Sequence, residues 1–156
     1  MDALAERGYR SLTDRVRSVP VTDDPATDLV AAGAIAFRDF AVSEPESFRL
    51  TFEQVSAEVL AQQPVARAAA DTYVALRDRI RRVRDAGSIH PDRTDEACAF
   101  ALHSLCQGLA ASELSARTPP DGPGFWPMAA DLDIAAVWWD ALSGLVGSFA
   151  TQPAVR

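Results

Sequence analysis

The chain has no lysine and no asparagine, and only two cysteines, two histidines and two methionines among its 156 residues. All 15 basic residues are arginine, a bias that goes with the abundant alanine of a GC-rich genome and is not read as arginine chosen for phosphate. Positive charge is in deficit: the net charge of -7 has the wrong sign for a chain that lays a broad face on nucleic acid. No stretch approaches 18 consecutive apolar residues, and Asp2, Glu6 and Arg7 rule out a signal peptide at the start, so the expected location is cytoplasmic. Cys98 and Cys106 stand eight positions apart on one expected helix, about 12 Å along its axis, too far for an intrachain disulfide. They read as small packing residues in a reducing compartment.

Chemistry-bearing motifs are equally scarce. There is no G-x-S-x-G elbow, no phosphate-cradling glycine loop and no H-E-x-x-H, and Gly122-Pro123-Gly124 breaks a loop rather than binding a nucleotide. His103 and Cys106 have i, i+3 spacing but no third metal ligand in reach, and no nucleophile or oxyanion donor stands beside His103. The expectation is therefore no catalytic residues, no metal and no cofactor. A small helical enzyme using His103 as a base stays open as an alternative, as does an interaction module with a solid core.

What is present is helical periodicity. Leu4, Gly8, Tyr9, Leu12, Val16 and Val19 share a face, and Pro20 ends that segment. Asp24 with Pro25 opens a helix running to about Val42, with Leu29, Val30, Gly33, Phe37, Phe40 and Ala41 on its buried stripe. Ser43 and Pro45 restart a short helix bearing Phe48, Leu50 and Phe52. Tyr73, Leu76, Ile80 and Val83 mark the next stripe; Arg77, Arg79, Arg81, Arg82 and Arg84, interleaved with Asp71, Asp78 and Asp85, read as its solvated face. Gly87 is the expected left-handed cap and Ile89 returns to the core. Thr94 or Asp92 then opens a helix to about Ala116. The segment from Thr118 to Pro127, with four prolines and two glycines, is a loop whose Phe125 and Trp126 are expected to tuck back over the body. A final helix runs from about Asp131 to Ala150. No alternating β pattern appears, so the whole chain, 1–156, is expected to be one all-α domain of six to seven helices.

The most informative stretch is Ala97 to Ser112, uncharged yet bounded by Asp95, Glu96 and Glu113. A helix with no polar side must be covered all round. At 100° per residue, Phe100, His103, Ser104, Gln107 and Leu114 share one face, and Ala101, Leu105, Gly108, Leu109 and Ser112 share another. The first mixes aromatic and hydrogen-bonding groups and suits a ligand cavity; the second is small and smooth and suits close approach of another helix. Phe37, Phe40, Phe48, Phe52, Tyr73 and Phe100 supply candidate aromatic walls, with His103 and Gln107 as polar anchors. Each aromatic taken singly also fits plain core filling, and His103 a satisfied core histidine. The seam would gather Leu105, Gly108 and Ser112 with Trp139, Leu142, Val146 and Gly147, the alternative being that these residues pack within their own chain; a charge at Leu142 or Trp139 should dissociate such a seam.

The segment Phe40-Ala41-Val42-Ser43-Glu44-Pro45-Glu46-Ser47-Phe48-Arg49-Leu50-Thr51-Phe52 resembles the phrase F-A-x-E-H-P-x-x-F-R-L-M-F of TetR-type transcriptional regulators, in their C-terminal effector domains. A weaker match follows: where such domains carry a Trp and, four residues on, His-Gly-Leu, this chain has His103 and then Gln107-Gly108-Leu109. The resemblance implies a homodimer whose last two helices in each subunit form a four-helix bundle, with a pocket for a small hydrophobic effector inside each subunit. It also implies that residues 1–19 are the helix connecting to a helix-turn-helix. That DNA-reading unit is not in this sequence, whether through truncation, a misplaced start or a natural sensor without a DNA arm. The expected function is then ligand sensing and dimerisation in a transcriptional repressor, with DNA contacted only through the absent unit and no membrane partner.

Overall fold

The computed structural model describes residues 2–117 and 132–154, and every regular element among them is helical. Helix α1 (Asp2–Ser18) is followed by α2 (Pro25–Ala31), which passes without a break through a π-helical stretch, π1 (Ala32–Phe37), into α3 (Arg38–Ser43). A second rod joins α4 (Pro45–Phe48) to π2 (Arg49–Glu53). Then come α5 (Ala57–Leu60), the long α6 (Gln63–Asp85), α7 (Asp95–Ala116) and α8 (Ile134–Ser148). Counting continuous rods, the described residues form seven helices, an all-α bundle.

Local chemistry explains most boundaries. The Asp24 carboxylate accepts from Thr27 N at 3.1 Å ahead of Pro25, and the Thr94 hydroxyl accepts from Ala97 N at 3.1 Å, each satisfying an amide that a helix start leaves free. Asp133 does the same for Ala136 N, so α8 starts at Ile134, later than expected. Gly87, at φ 79°, is the left-handed residue that ends α6, and Ser88 N donates back to the Val83 carbonyl. At its other end α6 begins at Gln63, well before the stripe that starts at Tyr73, because Pro64 at the first turn presets helical φ and Val65 and Ala68 bury against α1. Phe125 and Trp126 lie outside the described residues.

Trp138, Phe40, Phe48, Phe149, Leu29 and Ile80 are fully buried at the centre of the main core. A smaller cluster of Ala5, Tyr9, Val65 and Ala68 joins α1 to the first half of α6. Two close approaches lock the layers. A Cβ on Gly33 would come within 2.7 Å of Leu142 Cδ1 and 2.9 Å of Cys106 Sγ, so π1, α7 and α8 meet there without room for a methyl. A Cβ on Gly8 would overlap the Thr51 hydroxyl, which fixes α1 against π2. Cys98 and Cys106 are both buried free thiols, and burial pushes Cys106 up to about 12, so it is an unreactive packing group.

Three polar knots hold the core in register. Glu113, 2 % exposed, accepts two bonds from Arg38 and one each from Arg117 and the Trp138 indole, all at 2.7–2.9 Å. Asp28 accepts from Thr22 N, the Thr22 hydroxyl and Arg82. Burial raises the Asp28 pKa, but the bonds from Arg82 and Thr22 outweigh it and hold the carboxyl at about 2. Buried Arg79 donates to the carbonyls of Val16, Val19 and Pro20 at the end of α1. The expected solvated arginine face is thus corrected: Arg79 is internal, Arg82 binds Asp28 and the Thr22 carbonyl, and Arg84 binds Asp95 and the Arg93 carbonyl. The interleaved acids are not their partners; unpaired backbone carbonyls and acids of other segments are.

Candidate functional site

The two π-helical stretches are the least expected feature, and both end beside the same residue. A π turn carries one residue more than an α turn and re-aims the side chains that follow. Phe37 closes π1 and Phe52 lies in π2; their ring centroids stand 5.9 and 5.2 Å from that of His103 on α7. His103 therefore packs against a pair of rings, themselves 5.6 Å apart, delivered by separate rods. Burial lowers its pKa, so the imidazole is neutral at neutral pH. Neither ring nitrogen has a hydrogen-bond partner among the described residues.

Space lies on both sides of this imidazole. Inward is a mainly apolar cavity of about 40 Å³, bordered by Leu12, Val16, Gly33, Phe37, Leu102 and Cys106, the last a thiol that burial keeps protonated. Outward is an open cleft of about 420 Å³ between α6 and α7, walled by Tyr9, Phe52, Ala69, Tyr73, Ala99 and Phe100, with Glu96 at its edge. His103, Thr72 and Leu76 border both. Thr72 is also bonded to α1: its hydroxyl lies 2.8 Å from that of Thr13 and 3.2 Å from the Tyr9 carbonyl.

Of the aromatic wall expected from sequence, Phe37, Phe52, Tyr73 and Phe100 border the cavity or the cleft. Phe40 and Phe48 border neither; both are fully buried core, packed against the Phe52 ring at 6.3 and 5.6 Å between centroids. Gln107 is corrected as well: its Nε2 donates to the Phe52 carbonyl at 3.1 Å, so it secures the end of π2 rather than lining the space. Tyr9, Thr72, Leu76 and Glu96 belong to the site but were missed. Tyr9 and Leu76 read as ordinary stripe residues, and the weak pattern after Glu53 hid the turn of α6 that brings Thr72 to α1.

On the opposite side of α7, Gly108 and Ser112 are exposed and Leu105 half-buried against its own core. Trp139 is 37 % exposed and Gly147 is open; at Gly108, Gly144 and Gly147 a Cβ would meet nothing within 4 Å. Leu142 and Val146 are placed differently from expectation: both are buried inside this chain, Leu142 against Gly33, so a charge there would attack the core rather than a seam. α8 is apolar on nearly every side, and periodicity alone could not choose its buried face.

Comparison with protein families matches residues 30–147 to a model described as the tetracyclin repressor-like, C-terminal domain. The chain belongs to that family. The match spans π1, both ring-bearing rods, α6, α7 and nearly all of α8, so the site described above lies within it except for its α1 residues. It places the chain among regulator domains that are generally not enzymes. No curated protein and no solved structure matches the chain significantly. Among the described residues no helix is long and apolar enough to cross a membrane, and no group of three or more His, Cys, Asp or Glu side chains is placed to hold a metal ion.

Proposed function

We propose that this tetracyclin repressor-like domain senses a small hydrophobic effector, dimerises, and serves a transcriptional repressor in the cytoplasm. DNA reading is assigned to a helix-turn-helix outside these residues. The observation that carries the reading is His103: a neutral imidazole with no hydrogen-bond partner among the described residues, packed against two rings, between a mainly apolar cavity and an open cleft. A solid-core interaction module has no use for that arrangement, and an enzyme would need a nucleophile or further titratable groups beside it.

The mechanism follows from Thr72. An occupant of the cleft touches a side chain that is itself bonded to α1 at Tyr9 and Thr13, while seven residues further along the same helix Arg79 holds the carbonyls at the end of α1. Shifting α6 therefore shifts α1, the helix that would lead to the DNA-reading unit. Coupling requires only that the effector bind the two arrangements with different affinity.

Titration with the neutral fluorescent probe N-phenyl-1-naphthylamine tests the sensing half. Saturable binding with one probe per protomer, abolished by Ala69→Trp, which plugs the cleft, is the expected result; no binding to the native chain would overturn it. Sedimentation at micromolar concentration tests the other half. A dimer is expected, and Gly108→Glu should yield a folded monomer, since the protomer itself has room for the new side chain. A native monomer would contradict the seam.

A further inference from the structure

The cleft has a charge preference that composition alone does not set. Among its lining residues Glu96 is the only one with a formal charge at neutral pH, and it has no ion-pair or hydrogen-bond partner among the described residues. It sits in the first turn of α7, one turn before Phe100 and two before His103. Phe100 is 76 % exposed, with no ring or cation against it among the described residues. The neighbouring wall already shows what such rings attract: the Arg77 guanidinium lies 5.8 Å from the Tyr73 centroid. Arg77 itself does not line the cleft, which leaves Glu96 the charge that an occupant would touch.

Resting on the effector reading above, we infer that the cleft selects a planar aromatic monocation: the ring system between Phe52 and Phe100, the cationic end at Glu96, and a compact alkyl substituent past His103 in the inner cavity. Each part answers a separate feature. An anion would face an uncompensated carboxylate and the negative edge of a chain whose net charge is -7. A neutral molecule would leave the carboxylate and the open Phe100 face without a partner. The inner cavity, about 40 Å³ with mainly apolar walls, has room for a small alkyl group and offers little to a second charge.

Three isosteric probes decide this: 2-naphthylmethylammonium, 2-naphthylmethanol and 2-naphthoate, titrated calorimetrically into the full chain at neutral pH and low ionic strength, with the His103 ring signals followed by NMR. The ammonium is expected to bind about tenfold tighter than the alcohol, from one exposed ion pair together with one cation–π contact. The naphthoate should bind weakest, and all bound probes should shift His103. Glu96→Gln should shrink the ammonium-to-alcohol ratio to about threefold or less, the share left to the ring face. If the alcohol or naphthoate binds as tightly as the ammonium while shifting His103, the charge preference is wrong and the effector site stands. If none of the three binds or moves His103, both fail. A preference for ammonium unchanged by Glu96→Gln would also overturn the assignment, because the selectivity would then come from elsewhere.

Discussion

Along α6, the half nearest Gln63 presents Ala69, Thr72, Tyr73 and Leu76 to an open cleft, whereas the half that ends at Asp85 sends Arg79, Arg82 and Arg84 into carbonyls and carboxylates that each accept hydrogen bonds. One helix thus borders open space along one half and is tied by charged hydrogen bonds along the other, and α1 lies against both. Hydrogen-bonded, buried segments open at a high free-energy cost and poorly covered ones at a low cost, so motion is concentrated at the cleft while the clamp keeps α1 attached to whatever α6 does. A sensor needs both properties in one element: a surface that yields to a ligand and a grip that passes the movement on.

Removing the grip should have the largest effect. Arg79→Ala leaves the carbonyls of Val16, Val19 and Pro20 without their donor and opens space in the core. Bonds from a charged donor are the stronger class, so the expected loss in urea unfolding is about 3 kcal/mol. Hydrogen exchange should rise first in the last turn of α1. A loss below about 1 kcal/mol would mean that water replaces the guanidinium without penalty, and the two halves of α6 would then not differ in the way described.

That clamp shows where sequence stops being readable. Arg79 sits in a run of arginines alternating with aspartates, and charge pattern gives such a run to solvent; what buries Arg79 is the end of a helix about 60 residues earlier in the chain. Glu113 misleads in the same way, since it marks the edge of an uncharged run while its partner Arg38 is 75 residues away. By contrast, Asp24-Pro25, Thr94 and Gly87 act on neighbours within a few residues, and their effects were legible. So was the all-α class, because helical spacing repeats over each long segment. The site itself was half legible. His103 with Phe100 followed from a uniform wheel on a regular helix, but the π stretch shifts the phase between Leu29 and Phe37, and no local signal in Ala32 to Phe37 announces it.

A second test separates the clamp's charge from its shape. Asp28→Asn keeps the side-chain volume but gives up the carboxylate that accepts from Arg82 and Thr22. The carboxyl is held at about 2 in the folded chain against 3.8 for the free group, a depression equivalent to on the order of 2 kcal/mol. Because the folded pKa is the lower one, this stability is fully present above pH 3.8 and is lost as pH falls toward 2. Native and variant should therefore differ by that amount in urea midpoints near neutrality and converge at the acid end of the range. A difference that persisted at the acid end would locate the effect in the geometry of the Thr22 turn instead.

The smallest expected effect on stability lies at the open end. Phe100→Ser removes a ring that is 76 % exposed and has no aromatic partner among the described residues, on a helix where the two residues have similar propensity. The protomer should lose no more than about 0.5 kcal/mol. Affinity for the neutral naphthylamine probe should nevertheless fall severalfold, because the ring's cover is lost only when something occupies the cleft. Stability and binding would then respond oppositely at the two ends of α6: large and indirect at Arg79, negligible and direct at Phe100. If Phe100→Ser instead destabilises the chain by more than about 1 kcal/mol and leaves probe binding intact, the ring belongs to the protein's own packing, and the contrast between an open and a tied end is lost.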